Sequence, residues 1–276
     1  MAASSRIHLR PLKALDLPHL DELSSQQTQG NTPSLQNFVS EVLAEGDKFI
    51  RFDDNVFKTN GVRHEPPATA PIQIRSAVIT NDPTENWFAR TSVHEDSATD
   101  GTASWEEFDQ NLRVNHSQHE SEYTPSVASA EREYSWEQDL QTFGAAVNGW
   151  KEITMEIWLM RHAMPIFLLQ DRDFRVLVIT AVSMQGNRFI VVQIPVDRED
   201  IPVKAPNSQS KVVPAIYCSV ETGELLDGKI TWSMGTASDA KGVLPVALQK
   251  TQMAKAVAVD VQYFISWRMK QRKSVN

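Results

Sequence analysis

Lys229-Ile230-Thr231-Trp232-Ser233-Met234 is a strand-like run. It leads through Ser238-Asp239-Ala240-Lys241-Gly242-Val243-Leu244-Pro245 into one long amphipathic segment that continues to about Lys270. At about 100° per residue, Val246, Met253, Val257, Val261 and Phe264 fall on one face, flanked by Ala254 and Ile265. Gln252, Lys255, Gln262, Ser266 and Lys270 fall on the other. Pro245 suits a first helical turn, where its missing N–H costs nothing. Arg268, Lys270, Arg272 and Lys273 complement the negative end of the helix dipole. A rod of about 40 Å needs a large apolar surface to lie on. A strand running straight into such a helix predicts a curved antiparallel sheet wrapped around it, with an apolar cavity between the two.

Working outward, the strand signals lie in one block before this helix. Runs at 151–160, 173–183, 188–196, 212–221 and 229–235 are rich in Val, Ile, Thr and aromatic residues. Gly186-Asn187 reads as a turn between two of them. Earlier, Ile72, Ile74, Ala77 and Ile79 precede a turn at Asn81-Asp82-Pro83. Residues 87–94 then alternate, with Phe88, Arg90, Ser92 and His94 on one side and Trp87, Ala89, Thr91 and Val93 on the other. Ser104-Trp-Glu-Glu107 and Ser135-Trp-Glu-Gln138 carry capping-box spacing. The first predicts a helix with Trp105, Phe108 and Leu112 on a face, the second one with Leu140, Phe143 and Val147. Leucines at 12, 15, 17, 20 and 23 predict a helix over 10–28. Thr32 and Pro33 predict the start of another, with Leu35, Phe38, Val39, Val42 and Leu43 on its face. Residues 59–70 read as loop. Grouped rather than alternating strands predict an α+β fold. We expect a helical extension over 1–65 and one main domain over 70–272.

The composition excludes several classes. A formal net charge of −8 on 276 residues argues against a nucleic-acid partner, which requires a basic field. No window reaches the roughly 18 apolar residues of a membrane span, and the N-terminus lacks the apolar core of a signal peptide. The single cysteine, Cys218, sits in an apolar run and reads as a buried thiol in a reducing, cytoplasmic compartment. Phosphate loops, Gly-x-Ser-x-Gly elbows and Cys–His pairs are missing from the sequence, so no cofactor is expected.

The segments Trp87-Phe-Ala-Arg-Thr-Ser-Val-His94, Gly101-Thr-Ala-Ser-Trp-Glu-Glu-Phe108 and Leu112-Arg-Val-Asn-His-Ser-Gln-His-Glu-Ser-Glu-Tyr-Thr-Pro125 resemble a fungal family of START-like proteins of uncharacterised function. Residues 150–165, Phe189-Ile-Val-Val-Gln-Ile-Pro-Val196 and residues 239–267 extend the likeness over roughly 70–270. The resemblance implies a helix-grip fold with a lipid-sized cavity. It carries no catalytic residues over, and function within the superfamily ranges from lipid carriers to cyclases.

Candidate chemistry therefore comes from the residues themselves. Arg90 could anchor an anionic or carbonyl group, and His94 on the same strand face could move protons; the plain alternative is a structural ion pair. Glu156, flanked by Met155, Ile157 and Trp158, could act as an acid or base, or pair with an arginine. Tyr217 completes the catalytic candidates. Phe88, Trp158, His162, Trp232, Met234, Met253, Val257 and Val261 are the expected ligand-lining residues, which would equally be core. His116, His119 and Glu120 share a helix face without a zinc-protease pattern, and a solvated or hydrogen-bonded face is expected there rather than a metal site.

The expected function is binding of a bulky hydrophobic small molecule, such as a lipid, terpenoid or polyketide. The alternative is a cofactor-independent cyclase-type enzyme of specialised metabolism. A third reading is an interaction module, with the N-terminal helices as a docking surface, a pocket lid or a homodimer element.

Overall fold

The computed structural model describes residues 5–18, 33–79, 85–142, 146–164, 170–199, 201, 212–239 and 246–275. Nine strands form one sheet: β1 (Lys58–Arg63), β2 (Ile72–Ile79), β3 (Glu85–Glu95), β4 (Val127–Ser135), β5 (Trp150–His162), β6 (Arg172–Ser183), β7 (Arg188–Pro195), β8 (Val213–Leu226) and β9 (Lys229–Asp239). Their spatial order is β1-β2-β3-β9-β8-β7-β6-β5-β4. All neighbours are antiparallel. Beyond the end of β7, the first residues of β6 and β8 meet in a short parallel pairing, Arg172↔Val213 to Phe174↔Ala215. The sheet thus curls where β7 runs out.

The helices are α1 (Leu35–Phe49), α2 (Trp105–Phe108), α3 (His116–Tyr123), α4 (Glu137–Gln141) and α5 (Val246–Val275). Helix α5, 30 residues long, spans about 45 Å. It lies in the concave face with Val257, Ala258, Val261, Phe264 and Ile265 buried. The expected stripe is buried from Val257 to Phe264 and half-buried at Met253, and this is the α+β helix-grip architecture.

Period-two alternation divides the interior into two cores. Phe88, Trp158, Val176, Val178, Phe189, Val191, Trp232 and Met234 point to the concave side, under α5, α2 and α3. Trp87, Ala89, Ile157, Leu177, Ile179, Ile190, Val192 and Val220 point to the convex side. There they meet Ile7, Leu9, Leu12 and Leu17 from the N-terminal segment, and Phe38, Val39, Val42 and Leu43 from α1. Both faces of β6 and β7 are covered, which explains their nearly continuous apolar sequence. Phe38, Val39, Val42 and Leu43 of α1 are buried against the sheet, and Leu35 is half-buried.

Several local expectations are corrected. The 10–28 segment is no helix in its described part, where only a 3₁₀ turn, Ala14–Asp16, forms; the chain bonds through Leu12 N–H to the Pro195 carbonyl (2.8 Å). Ser34, not Thr32, caps α1, accepting from Asn37 N–H. Residues 58–63 form edge strand β1 where a loop is expected, with a bulge between Thr59 and Gly61. Strand β4 is unanticipated: its sequence, VASAEREYS, is polar because it is an edge. The Ser104–Glu107 capping box forms, whereas Ser135 accepts only from Glu137 N–H and α4 is a single turn. The rest of 19–28, Thr32, the turn at Asn81-Asp82-Pro83, Phe143 and residues 240–245 lie outside the described residues.

Candidate functional site

Strand register builds the site. Arg90 on β3 and Glu221 on β8 both pair with Met234 on β9, so the three form one row across the concave face. The next row carries Thr236, Ser219 and Gln193. Against these rows stands a helical wall. A π-helical turn, Asp109–Arg113, is followed by Asn115 at φ +49°, the left-handed conformation asparagine tolerates. This break redirects the chain, and α3 presents His116, Glu120 and Tyr123 to the sheet. Helix α5 contributes Met253, Ala256, Val257 and Asp260. A cavity of about 250 Å³ lies between the walls, closed further by Phe174, Tyr217 and His162.

Arg90 is 1 % exposed. Its Nη2 donates to Glu221 Oε1 (3.1 Å), which also accepts from Trp232 Nε1 (2.7 Å). The guanidinium sits 3.9 Å from the Trp232 ring centre, a cation–π contact. Nε and Nη1 of Arg90 have no acceptor among the described residues. A buried guanidinium with two unmet donors is costly, and a ligand oxygen would satisfy it.

A second network fixes the polarity of the opposite side. His116 Nδ1 donates to the Leu112 carbonyl (2.5 Å), so Nε2 accepts from Gln193 Nε2 (2.7 Å). Tyr217 OH donates to Gln193 Oε1. This is the neutral imidazole, and burial pushes its pKa down. Glu120 lies 3.7 Å from His116 Nε2, and its Oε2 has no hydrogen-bond partner. Burial, then the charges of Asp260 and Glu221, push the Glu120 carboxyl up to about 8. The two groups therefore meet as a neutral pair rather than an ion pair. Burial raises Asp260 to about 6, with Arg90 opposing.

Of the expected site residues, Arg90, Tyr217, His162, Trp232, Met234, Met253 and Val257 border this cavity. Burial takes His162 down to about 4. Phe88, Trp158 and Val261 belong to the surrounding apolar cluster without bordering the space. His94 lies behind the wall. Its Nε2 bonds Ser92 Oγ (2.8 Å), its ring packs near Phe108 and Trp232, and burial with Arg90 lowers it to about 4. Glu156 is elsewhere: it pairs with Arg132 (2.8 Å) and accepts from Trp158 Nε1 (2.8 Å). It borders a second depression of about 580 Å³ beside α4 and the start of β5. That depression is larger, but Arg113 and Arg132 on its rim are already paired with Asp109, Glu152 and Glu156. The smaller cavity, with unsatisfied groups, is the candidate site.

Sequence reading passed over Glu221, Gln193 and Asp260. Gln193 and Asp260 left a trace, a lone polar residue on an apolar strand or stripe, as in Phe189-Ile-Val-Val-Gln193 and Val257-Ala-Val-Asp260, whereas Glu221 stands among Ser219, Thr222 and Glu224 and left none. His116 and Glu120 do share a face, but it turns inward, with His116 hydrogen-bonded and Glu120 Oε2 without a partner among the described residues. Among the described residues no group of three His, Cys, Asp or Glu side chains is arranged to hold a metal.

Solved structures with a similar course include human StAR-related lipid transfer protein 5 (13% identity, TM-score 0.58, 86% of this chain and 98% of that chain). Human STARD10 is similar too (11%, TM-score 0.58, 90% and 84%). So is a STAR-related lipid transfer protein fragment from Xanthomonas axonopodis (11%, TM-score 0.50, 76% and 98%). At these identities the likeness shows the fold, which is START-like. No curated protein matches the chain. Residues 87–268 match the model of the family described as "Protein of unknown function (DUF3074)", and the chain belongs to that family.

Proposed function

We propose that the protein binds a hydrophobic small molecule bearing a polar group, enclosed between the concave sheet face and the α3–α5 wall. The observation that carries this reading is Arg90: buried, on the cavity border, with Nε and Nη1 unmet. Phe174, Trp232, Met234, Met253 and Val257 supply the apolar surface for the rest of the ligand. The similar solved structures named as lipid transfer proteins support a hydrophobic ligand. The volume, about 250 Å³, lies between a benzene-sized cavity of about 150 Å³ and the roughly 300 Å³ at which drug-sized sites begin. It suits a terpenoid or short polyketide of modest size. A bulkier lipid requires α5 to move outward. Organic extraction of the purified protein, with a thermal-shift screen of terpenoids, polyketides and lipids, tests the reading. We expect a ligand class that raises the melting temperature of wild type and has no such effect on Arg90→Met; a screen without any stabilising compound contradicts it.

A second reading, a cofactor-independent cyclisation, is favoured by Glu120. A carboxyl kept protonated to about 8 beside an apolar space could donate a proton to a bound polyene. Substrate turnover that disappears in Glu120→Gln, with binding retained, supports it. A ligand recovered unchanged from wild type removes it.

A further inference from the structure

The charged groups that border the cavity do not balance. Arg90 is the one cation among the described residues that border the cavity, and Glu221 already holds it at 3.1 Å. Glu120 and Asp260 remain, facing the same space from two different helices, α3 and α5. Neither has a cationic partner among the described residues, and Glu120 Oε2 is without any hydrogen-bond donor. His116 and His162 cannot supply the charge, because burial keeps both imidazoles neutral. Two half-buried carboxyls without an ion-pair partner are costly to ionise together, and a ligand cation between them removes that cost. Independently, the 1 % exposed Arg90 leaves Nε and Nη1 unmet on the facing sheet wall. The wall thus asks for two things at once: positive charge on the helix side and an oxygen acceptor on the sheet side.

We infer that the ligand is a compact hydrophobic amine with a neighbouring oxygen, its ammonium seated between Glu120 and Asp260 and its oxygen accepting from Arg90. The inference rests on the binding reading above and narrows it. Glu221 neutralises Arg90, so an ammonium on the opposite wall meets no net repulsion. The rings of Tyr123 and Tyr217 border the same space. A fatty acid fits badly, since its carboxylate satisfies Arg90 but adds negative charge to a space already bordered by the Glu120 and Asp260 carboxyls. A hydrocarbon or simple alcohol leaves Glu120 and Asp260 as they are.

Calorimetric titration of the full chain at mildly alkaline pH tests this with three probes of nearly equal size: phenylalaninol, hydrocinnamyl alcohol and hydrocinnamate. Phenylalaninol should bind about tenfold or more tightly than the alcohol, as a charge-assisted contact warrants, and hydrocinnamate should bind most weakly. In a Glu120→Gln/Asp260→Asn double variant the amine should lose its advantage and bind no more tightly than the alcohol, whose binding reports that the cavity is still formed. Equal affinities for amine and alcohol in wild type overturn the inference and leave the binding reading standing. So does an amine preference that survives in the double variant. Failure of all three probes to bind wild type removes the binding reading itself, and the inference with it.

Discussion

Arg90 and Glu221 stand two strands apart on the concave face, with Met234 between them, and their side chains meet over Trp232 at 3.1 Å. A buried pair of this kind is weak support for stability as a pair, yet expensive to break from one side. Glu221→Gln, which strands the guanidinium, should lower unfolding free energy by about 3–5 kcal/mol. The Arg90→Met/Glu221→Met double variant should recover most of that loss and still fail to bind ligand. Urea unfolding with a binding assay separates the two effects. Double-variant stability no better than Glu221→Gln would show that the pair holds the fold rather than serves the cavity.

The buried titratable groups predict a stability maximum bounded on both sides. Glu120 is raised from 4.5 to about 8, so its contribution is fully present below the lower value and is lost as pH rises through the higher. His94 and His162 are lowered from 6.5 to about 4, so the unfolded chain takes up protons that the folded one refuses as pH falls across that range. Glu120→Gln should match wild type near pH 5 and exceed it by about 1–3 kcal/mol near pH 9. Denaturant midpoints across pH measure this, and an alkaline arm unchanged in the variant contradicts the burial of Glu120.

Helix α5 is tied to the rest of the domain by Glu107, which accepts from Arg268 (3.0 Å) and Arg272 (2.6 Å) while completing the Ser104 cap. Burial alone would raise this carboxyl, but hydrogen bonds from Arg272, Ser104 N–H and Arg268 hold it at about 2. Its stabilisation is present above the ordinary carboxylate range and lost as pH falls through about 2. Glu107→Gln should cost about 1–3 kcal/mol. It should also raise hydrogen exchange in the last turns of α5 before it affects β6 or β7.

Gly46 gives α1 its close approach to the sheet. A Cβ there would lie 2.9 Å from Val192 Cγ2 and 3.1 Å from Ile190 Cδ1. Gly→Ala inside a helix ordinarily gains about 1 kcal/mol. Here overpacking should reverse the sign, with a net loss of about 1–3 kcal/mol by thermal unfolding.

The helix-grip plan was legible because its signals are local. A stripe of Val257, Val261 and Phe264 repeats at helical spacing, and 87–94 alternates cleanly. Alternation grouped Arg90 with Phe88, Ser92 and His94 on one face, but left open whether that face looks into the cavity. What escaped was set by tertiary contact. Trp87 and Ala89 are as buried as Phe88, because α1 and the N-terminal segment cover the convex face, and no local pattern announces a second layer. Glu156 has the sequence surroundings of a catalytic acid, but strand β4 brings Arg132 beside it, and β4 is too polar to read as a strand. Glu221 and Asp260 acquire meaning only through register and helix placement, which join residues far apart in the chain.

The central claim is that the space bordered by Met234 and Met253 receives the ligand. Methionine methyl spectra read it directly, with any compound that raises the melting temperature as titrant. The account predicts that the Met234 and Met253 methyls shift in a saturable, one-to-one manner, while Met155 on the convex face and exposed Met184 stay in place. Stabilising compounds that leave Met234 and Met253 unmoved, or that shift Met155 or Met184 instead, would contradict it.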